Sequence, residues 1–68
     1  METTEKHKEI LNLLKKEEVA TTKISFLISV NYYQTEKFLL ELENLNLIER
    51  RKENHATYWR LKKDGEKI

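Results

Sequence analysis

The chain contains no cysteine, no proline and only one glycine in 68 residues. Without cysteine, neither a disulfide framework nor a thiolate metal site is available. The two histidines, His7 and His55, are far apart and lack a set of carboxylate partners, so we expect no metal ion and no other cofactor. No apolar run approaches the roughly 18 residues of a membrane span, and the charged N-terminus is unlike a signal peptide. We therefore expect a soluble, intracellular protein without membrane contact.

The sequence also lacks any group of residues arranged for catalysis. It has no nucleophile beside a base, no glycine-rich loop that would hold a phosphate and no pair of carboxylates. We therefore expect a protein that is not an enzyme and has no evident small-molecule ligand.

The length predicts a single domain, residues 1–68. Charged residues are abundant in it and unevenly distributed along the chain. Charged residues make up 37% of the chain, mostly Lys and Glu. This is typical of hyperthermophile proteins and equally of a small helical domain with a well-solvated surface. Residues 1–49 carry six Lys or Arg against nine Glu, whereas residues 50–68 carry seven against three acidic residues. Such an asymmetry indicates a surface that meets a polyanion on one side.

Apolar residues recur at helical spacing in the first part of the chain and alternate in the last part. The spacing predicts a first helix capped by Thr4, a second that starts after Thr21 or Thr22, and a third capped by Asn31 and ended by Asn46. The predicted helices end near residues 16, 29 and 46, and the predicted strands cover 19–20, 47–52 and 56–62, with a turn at 53–55.

The same periodicity predicts which side chains are buried. Leu27, Tyr32 and Leu45 are expected to face the core, whereas His7 and Tyr33 are expected at the surface. Nine residues are predicted to form the centre of the core: Ile10, Leu14, Ile24, Ile28, Phe38, Leu42, Leu47, Trp59 and Leu61.

A helix presented by another helix and followed by a basic hairpin is the layout of a winged helix-turn-helix. The expected fold class is therefore mainly α with a small antiparallel β-hairpin, the wing. A helix fits the major groove of DNA and a basic hairpin can lie along the phosphates, so double-stranded DNA is the leading partner.

Four short motifs of the sequence match a known family. They are Thr22-Lys23-Ile24, then Val30, Asn31, Tyr32 and Gln34, then Leu42, Asn46, Leu47 and Ile48, and finally Trp59, Leu61, Lys62 and Gly65. In these motifs, over about two thirds of its length, the chain resembles the small archaeal winged-helix DNA-binding proteins. The resemblance implies a chromatin-associated protein or a transcriptional regulator from an archaeon or an archaeal virus. Asn46 replaces the family's Gly, and Lys62 replaces a Thr that would cap a fourth helix.

The third helix carries the candidates for base contact, namely Asn31, Tyr33, Gln34, Glu36 and Lys37. Asn and Gln can bind adenine through two hydrogen bonds, Lys can bind guanine, and Glu can accept a hydrogen bond from cytosine. The alternative is that Asn31 and Gln34 only cap the helix and that Glu36 and Lys37 form an ordinary solvated face. Glu41 lies at the margin of this face.

The hairpin carries the candidates for phosphate contact, namely Arg50, Arg51, Lys52, Arg60, Lys62 and Lys63. Alternation places them on both faces of the hairpin, so about half can contact one duplex. A merely solubilising hairpin is the alternative. Asn54 and His55 at the wing tip would reach into a minor groove or form a plain turn.

Some apolar residues exceed what a monomer core needs. Leu13 and Phe26 are candidates for a homodimer seam, and two recognition helices about one DNA turn apart would increase specificity. The chain ends where the family's fourth helix would begin, so we expect any dimer to use another surface. The competing function is a protein-interaction module, which the acidic third helix favours, and a non-specific chromatin protein or an RNA-binding protein is a further alternative.

Overall fold

In a computed structural model that describes residues 4–62, the chain forms three helices and one three-stranded antiparallel sheet. The predicted fold class is confirmed, and so is the predicted strand at Val19 and Ala20, which pairs with the wing. Lys63, and Gly65 of the last family motif, lie outside the described residues. The elements are α1 (Glu5–Lys16), β1 (Val19–Ala20), α2 (Thr21–Ile28), α3 (Tyr32–Asn44), β2 (Ile48–Glu53) and β3 (Ala56–Leu61).

α1 begins with a capping box that involves a histidine. The Oγ1 atom of Thr4 accepts a hydrogen bond from the backbone N–H of His7, and Nδ1 of His7 accepts one from the backbone N–H of Thr4. Each side chain thus satisfies an N–H group that the first helical turn leaves without a partner. Thr4 is confirmed as the cap.

Two residues with left-handed backbone end α2 and α3 in the same way. Ser29 has φ 57° and Asn46 has φ 61°. In each case the next N–H donates back to the helix, from Val30 to Ser25 and from Leu47 to Leu42. These are Schellman motifs, in which glycine is the usual residue. The predicted end of α3 at Asn46 is confirmed. Ser29 and Asn46 occupy the positions where glycine is usual, in a sequence that has only one glycine.

The wing is a tight hairpin with a two-residue turn. Asn54 and His55 both have positive φ, 50° and 67°, as a type I′ turn requires, and Glu53 pairs with Ala56. The predicted turn at 53–55 is therefore one residue too long, because Glu53 belongs to β2. The register places Arg50 opposite Trp59.

The core lies between the three helices and one face of the sheet. Phe38 and Leu61 were predicted to be buried, but they are only partly buried and pack against the edge of the core. The fully buried apolar residues are Ile10, Leu11, Leu14, Val19, Ile24, Ile28, Leu39, Leu42, Leu47, Ile48 and Trp59.

Three predicted core residues are exposed. Leu27, Tyr32 and Leu45 keep large solvent-accessible fractions. Leu27 lies on the flank of the eight-residue α2, whose inward side is filled by Ile24 and Ile28, while Tyr32 and Leu45 stand at the two ends of α3. At helix ends and on short helices the neighbouring elements cover a narrower arc than the apolar spacing suggests.

Trp59 joins the wing to the start of α2. Its indole is buried, and Nε1 donates a hydrogen bond to Oγ1 of Thr21 at 2.7 Å. The hydroxyl of Thr21 donates in turn to the carbonyl oxygen of Thr57 at 3.4 Å. Thr21 is also the first residue of α2, whereas the sequence predicted a start after it. Between residues 4 and 62, no helix has the length and apolar character needed to cross a bilayer.

Candidate nucleic-acid interface

α3 presents one exposed stripe along its length. Tyr33, Glu36, Lys37 and Leu40 are exposed and recur at i, i+3, i+4 and i+7, so they lie on one face. Recognition helices that read the major groove present side chains at this spacing. Tyr33 is 83% exposed, and its ring meets the ring of Tyr32 edge to face at 6.1 Å. The stripe brings together three of the five predicted base-contact residues.

The two amide side chains at the start of α3 differ in their hydrogen bonding. Oδ1 of Asn31 accepts a hydrogen bond from the backbone N–H of Gln34 at 2.8 Å, so its capping role is confirmed. Oδ1 has a second lone pair and Nδ2 can still donate, so capping and a contact to adenine can coexist at Asn31. The side chain of Gln34 is exposed and makes no hydrogen bond within residues 4–62.

The wing has a core-side face and an outer face. Residues opposite each other in an antiparallel pair project to the same side, and Trp59 is buried, so its partner Arg50 lies on the core side. The same pairing rule places Lys52 on the core side with Thr57. Arg51 and Arg60 project from the outer face, because they alternate with these residues along each strand.

A cleft of about 190 Å³ separates α3 from the core-side face of the wing. Arg50, on one wall, forms an ion pair with Glu43 of α3 at 3.2 Å. Lys52 makes no ion pair within the described part of the chain. Residues of the exposed stripe of α3 and the core-side cations of the wing therefore line the same cleft. Its lining residues are Thr21, Glu36, Leu40, Arg50, Lys52, Thr57 and Trp59.

Arg51 on the outer face is held by two carboxylates and an aromatic ring. Its guanidinium donates to Glu18, which precedes β1, and to Glu53 of its own strand, and it lies over the ring of Tyr58 at 5.1 Å. The sheet order is β1-β3-β2, so Arg51 reaches across the central strand. Its hydrogen bond lowers the pKa of the Glu18 carboxyl, and the two carboxylates raise the pKa of Arg51.

The other predicted cations of the wing and its tip lie in different surroundings. Arg60 donates to Glu49 at 2.5 Å on the outer face. Lys62 is half-buried, and its backbone N–H donates to the carbonyl oxygen of Leu47. Asn54 and His55 are both exposed at the tip. The phosphate-contact candidates are thus divided between a face that borders α3 and an outer face, and arginines on both faces pair with glutamates.

His7 is the residue that the sequence placed wrongly at the surface. It is only 2% exposed, and its ring lies edge-on to Phe38 at 5.0 Å. Because Nδ1 accepts the N–H of Thr4, the neutral ring carries its proton on Nε2, which donates to Oε1 of Glu41 at 2.9 Å. Glu41 therefore faces α1 and not the exposed stripe. The helical spacing of His7 with Ile10 and Leu14 was the signal that could have found it.

The two dimer candidates lie in different settings. Leu13 is half-buried against the core and lines a groove between α1 and α2 with Leu27 and Ile28. Phe26 projects from α2 and is 81% exposed. Within residues 4–62, no group of three or more His, Cys, Asp or Glu side chains could hold a metal ion.

Solved structures of bacterial regulators share this architecture. The adhesin competence repressor AdcR from Streptococcus pyogenes superposes with a TM-score of 0.92 at 17% identity, over 97% of this chain and 52% of that one. The zinc-responsive MarR family member ZitR from Lactococcus lactis gives 0.90 at 18% identity, over 98% and 49%. The homodimeric winged helix-turn-helix DNA-binding domain Mb0332 from Mycobacterium bovis, a possible ArsR-family regulator, gives 0.83 at 27% identity, over 88% and 56%.

The chain has the winged-helix fold. It spans about half the length of these three solved chains. No family model matches the sequence, and no curated protein matches it. The identities are low, so the superpositions establish the architecture and not the ligand.

Proposed function

We propose that residues 1–68 form a sequence-specific, double-stranded DNA-binding domain that acts as a small transcriptional regulator without catalytic activity. The observation that supports this most is the single exposed stripe of α3 beside the core-side cations of the wing. α3 would lie in the major groove while the wing follows the phosphates. AdcR is described as a repressor and Mb0332 as the DNA-binding domain of a possible transcriptional regulator, which supports the same function.

Base readout is assigned to the free polar groups of α3. Gln34 would bind adenine, Lys37 would bind guanine and Glu36 would accept from the amino group of cytosine. Tyr33 would lie against the sugar–phosphate edge or a base. Asn31 would act mainly through its cap, which fixes the first turn of the helix.

Phosphate contact is assigned first to Arg50 and Lys52. Both border the stripe of α3, and Lys52 makes no ion pair within residues 4–62, although Arg50 pairs with Glu43 of α3. Arg51 and Arg60 bind carboxylates on the other face, away from α3. We propose that those two arginines stiffen the wing and contribute little to the counterions released on binding. His55 at the tip would approach the minor groove.

The assembly is proposed to be a homodimer inside the cell, in an archaeal host or its virus. Phe26 and the groove at Leu13 are the apolar surface that a second copy would cover. The sequence resemblance supports the archaeal source, and the bacterial neighbours reported above do not. The homodimeric state described for Mb0332 supports the dimer.

The test compares two cations of one hairpin on opposite faces. Binding to a duplex selected from a random pool is titrated at several salt concentrations for the parent, Lys52→Ala and Arg60→Ala. Lys52→Ala should weaken binding to all duplexes and reduce the slope of log K against log salt by about 0.9 per protomer. Arg60→Ala should leave the slope unchanged, because its charge is bound by Glu49.

Base-contact variants separate specific from non-specific binding. Replacing Gln34 or Lys37 with Ala should reduce the preference for the selected duplex by roughly 1–3 kcal/mol while non-specific affinity remains. A specificity ratio near one in the parent would indicate a chromatin protein. If Lys52→Ala binds every duplex as the parent does, the protein-interaction module becomes the better interpretation.

A further inference from the structure

Leu40 is the one apolar aliphatic residue in the exposed stripe of α3. It is 37% exposed and follows Glu36 by one helical turn. Both residues line the cleft, opposite Arg50 and Lys52 of the wing. An apolar side chain at this place cannot serve phosphate binding, and its flanking groups are charged or polar.

The major groove offers one apolar group that an aliphatic side chain can contact. This is the C5-methyl group of thymine, which distinguishes an A·T pair by its shape and polarity. We propose that Leu40, at the mouth of the cleft, forms a subsite for a thymine methyl group. This inference rests on the proposed function and names the chemistry of one base that α3 reads.

The neighbouring residue Glu36 fixes where that thymine should lie. Four residues of helix advance about 6 Å along the axis, and one base pair advances about 3.4 Å along the duplex. With Glu36 on a cytosine amino group, Leu40 reaches the methyl of a thymine one or two base-pair steps away. The subsite therefore reads a short C/T-containing step and not an isolated base.

Deoxyuridine tests the contact, because it differs from thymidine only in lacking the methyl group. A duplex is selected by the parent from a pool with a random core of about two helical turns. Each thymine in this duplex is then replaced, one at a time, by deoxyuridine, and the affinity is measured for the parent and for Leu40→Ala. The parent should lose about fourfold at one position, the equivalent of burying one methyl-sized group. Leu40→Ala should bind both duplexes equally.

Two further variants control for folding and for general loss of apolar surface. Leu40→Met retains an apolar contact and should retain the discrimination. Leu45→Ala removes an equally exposed leucine, the C-cap residue of α3, which is 38% exposed and lies off the stripe, and this variant should discriminate as the parent does. Thermal melting of all three verifies that they fold.

The outcomes separate the subsite from the proposed function. A selected duplex that tolerates deoxyuridine at every position would overturn the subsite alone, and so would discrimination that persists in Leu40→Ala. If the parent retains no duplex from the pool at low salt, the proposed function fails and the subsite fails with it.

Discussion

The two faces of the wing carry similar cations but hold them differently. On the core side, Arg50 and Lys52 border the cleft beside α3. Arg50 pairs there with Glu43 of α3, and Lys52 has no ion pair within residues 4–62. On the outer face, Arg51 is shared by two carboxylates and Arg60 binds Glu49. A count of basic residues treats both faces alike. Which cations are available to a polyanion depends on the carboxylates around each cation and on the element that the cation faces.

The largest expected effect separates the two faces by stability. Trp59→Ala removes the buried indole on the core side and should cost about 3–5 kcal/mol, enough to unfold a domain of this size. Tyr58→Ala on the outer face removes a half-buried ring and its contact with Arg51, for which about 1 kcal/mol is expected. Urea unfolding followed by circular dichroism measures both. Equal costs would mean that the two faces do not differ in their contribution to the core.

A smaller effect is expected at the tip, where the two faces meet. His55 has φ 67°, a conformation that costs a side-chain-bearing residue about 1–2 kcal/mol and glycine nothing. His55→Gly should therefore stabilise the hairpin by roughly 0.5–1 kcal/mol after glycine's greater entropy in the unfolded chain is subtracted. Asn54→Gly is the matched control and should gain less, because Asn tolerates the left-handed region. A lower melting temperature for His55→Gly would show that its side chain stabilises the wing.

The smallest effect concerns the ion pair that ties the outer face to β1. The hydrogen bond from Arg51 lowers the pKa of Glu18 below its ordinary value of 4.5, so folding favours the ionised carboxyl. The stabilisation is present above pH 4.5 and is lost as the pH falls through the lowered pKa. Glu18→Gln should melt slightly below the parent at neutral pH, and the difference should disappear in acid. Glu17→Gln is the control, since the ion pair of Glu17 within residues 4–62 is with the exposed Lys23. A difference that persists in acid would rule out the ion pair as its cause.

The register of the wing shows how one residue limits prediction from sequence. The alternation of Trp59 with its neighbours predicted two faces, and the structure has them. A turn over residues 53–55 would pair Glu49 with Trp59 and bring Arg51 to the core side. The two-residue turn pairs Arg50 with Trp59 and moves Arg51 outward. Local sequence favours both turns, so the face that borders α3 could not be assigned without the structure.

Local sequence signals predicted the bounds of the helices well. The contacts of single side chains were not predicted where their partners lie far along the chain. Asn31 and Asn46 mark the ends of α3 through their own side chain and backbone, which the sequence contains. The buried His7 donates a hydrogen bond from Nε2 to Glu41, far along the chain, and no local pattern indicates that partner. The stripe of α3 followed from helical spacing, but the cleft behind Leu40 required the position of the wing.

The placement of β1 has a consequence for the order of folding. β2 and β3 are joined by two residues, so the hairpin can close early and at little entropic cost. Val19 pairs with Trp59, which lies far along the chain beyond α2 and α3, so we expect this pairing to form after those helices. We expect the hydrogen bond from Trp59 to Thr21 to form at the same late stage. Contacts of β1 are therefore expected to slow unfolding without speeding folding. This two-residue strand should thus contribute to the kinetic stability of the domain.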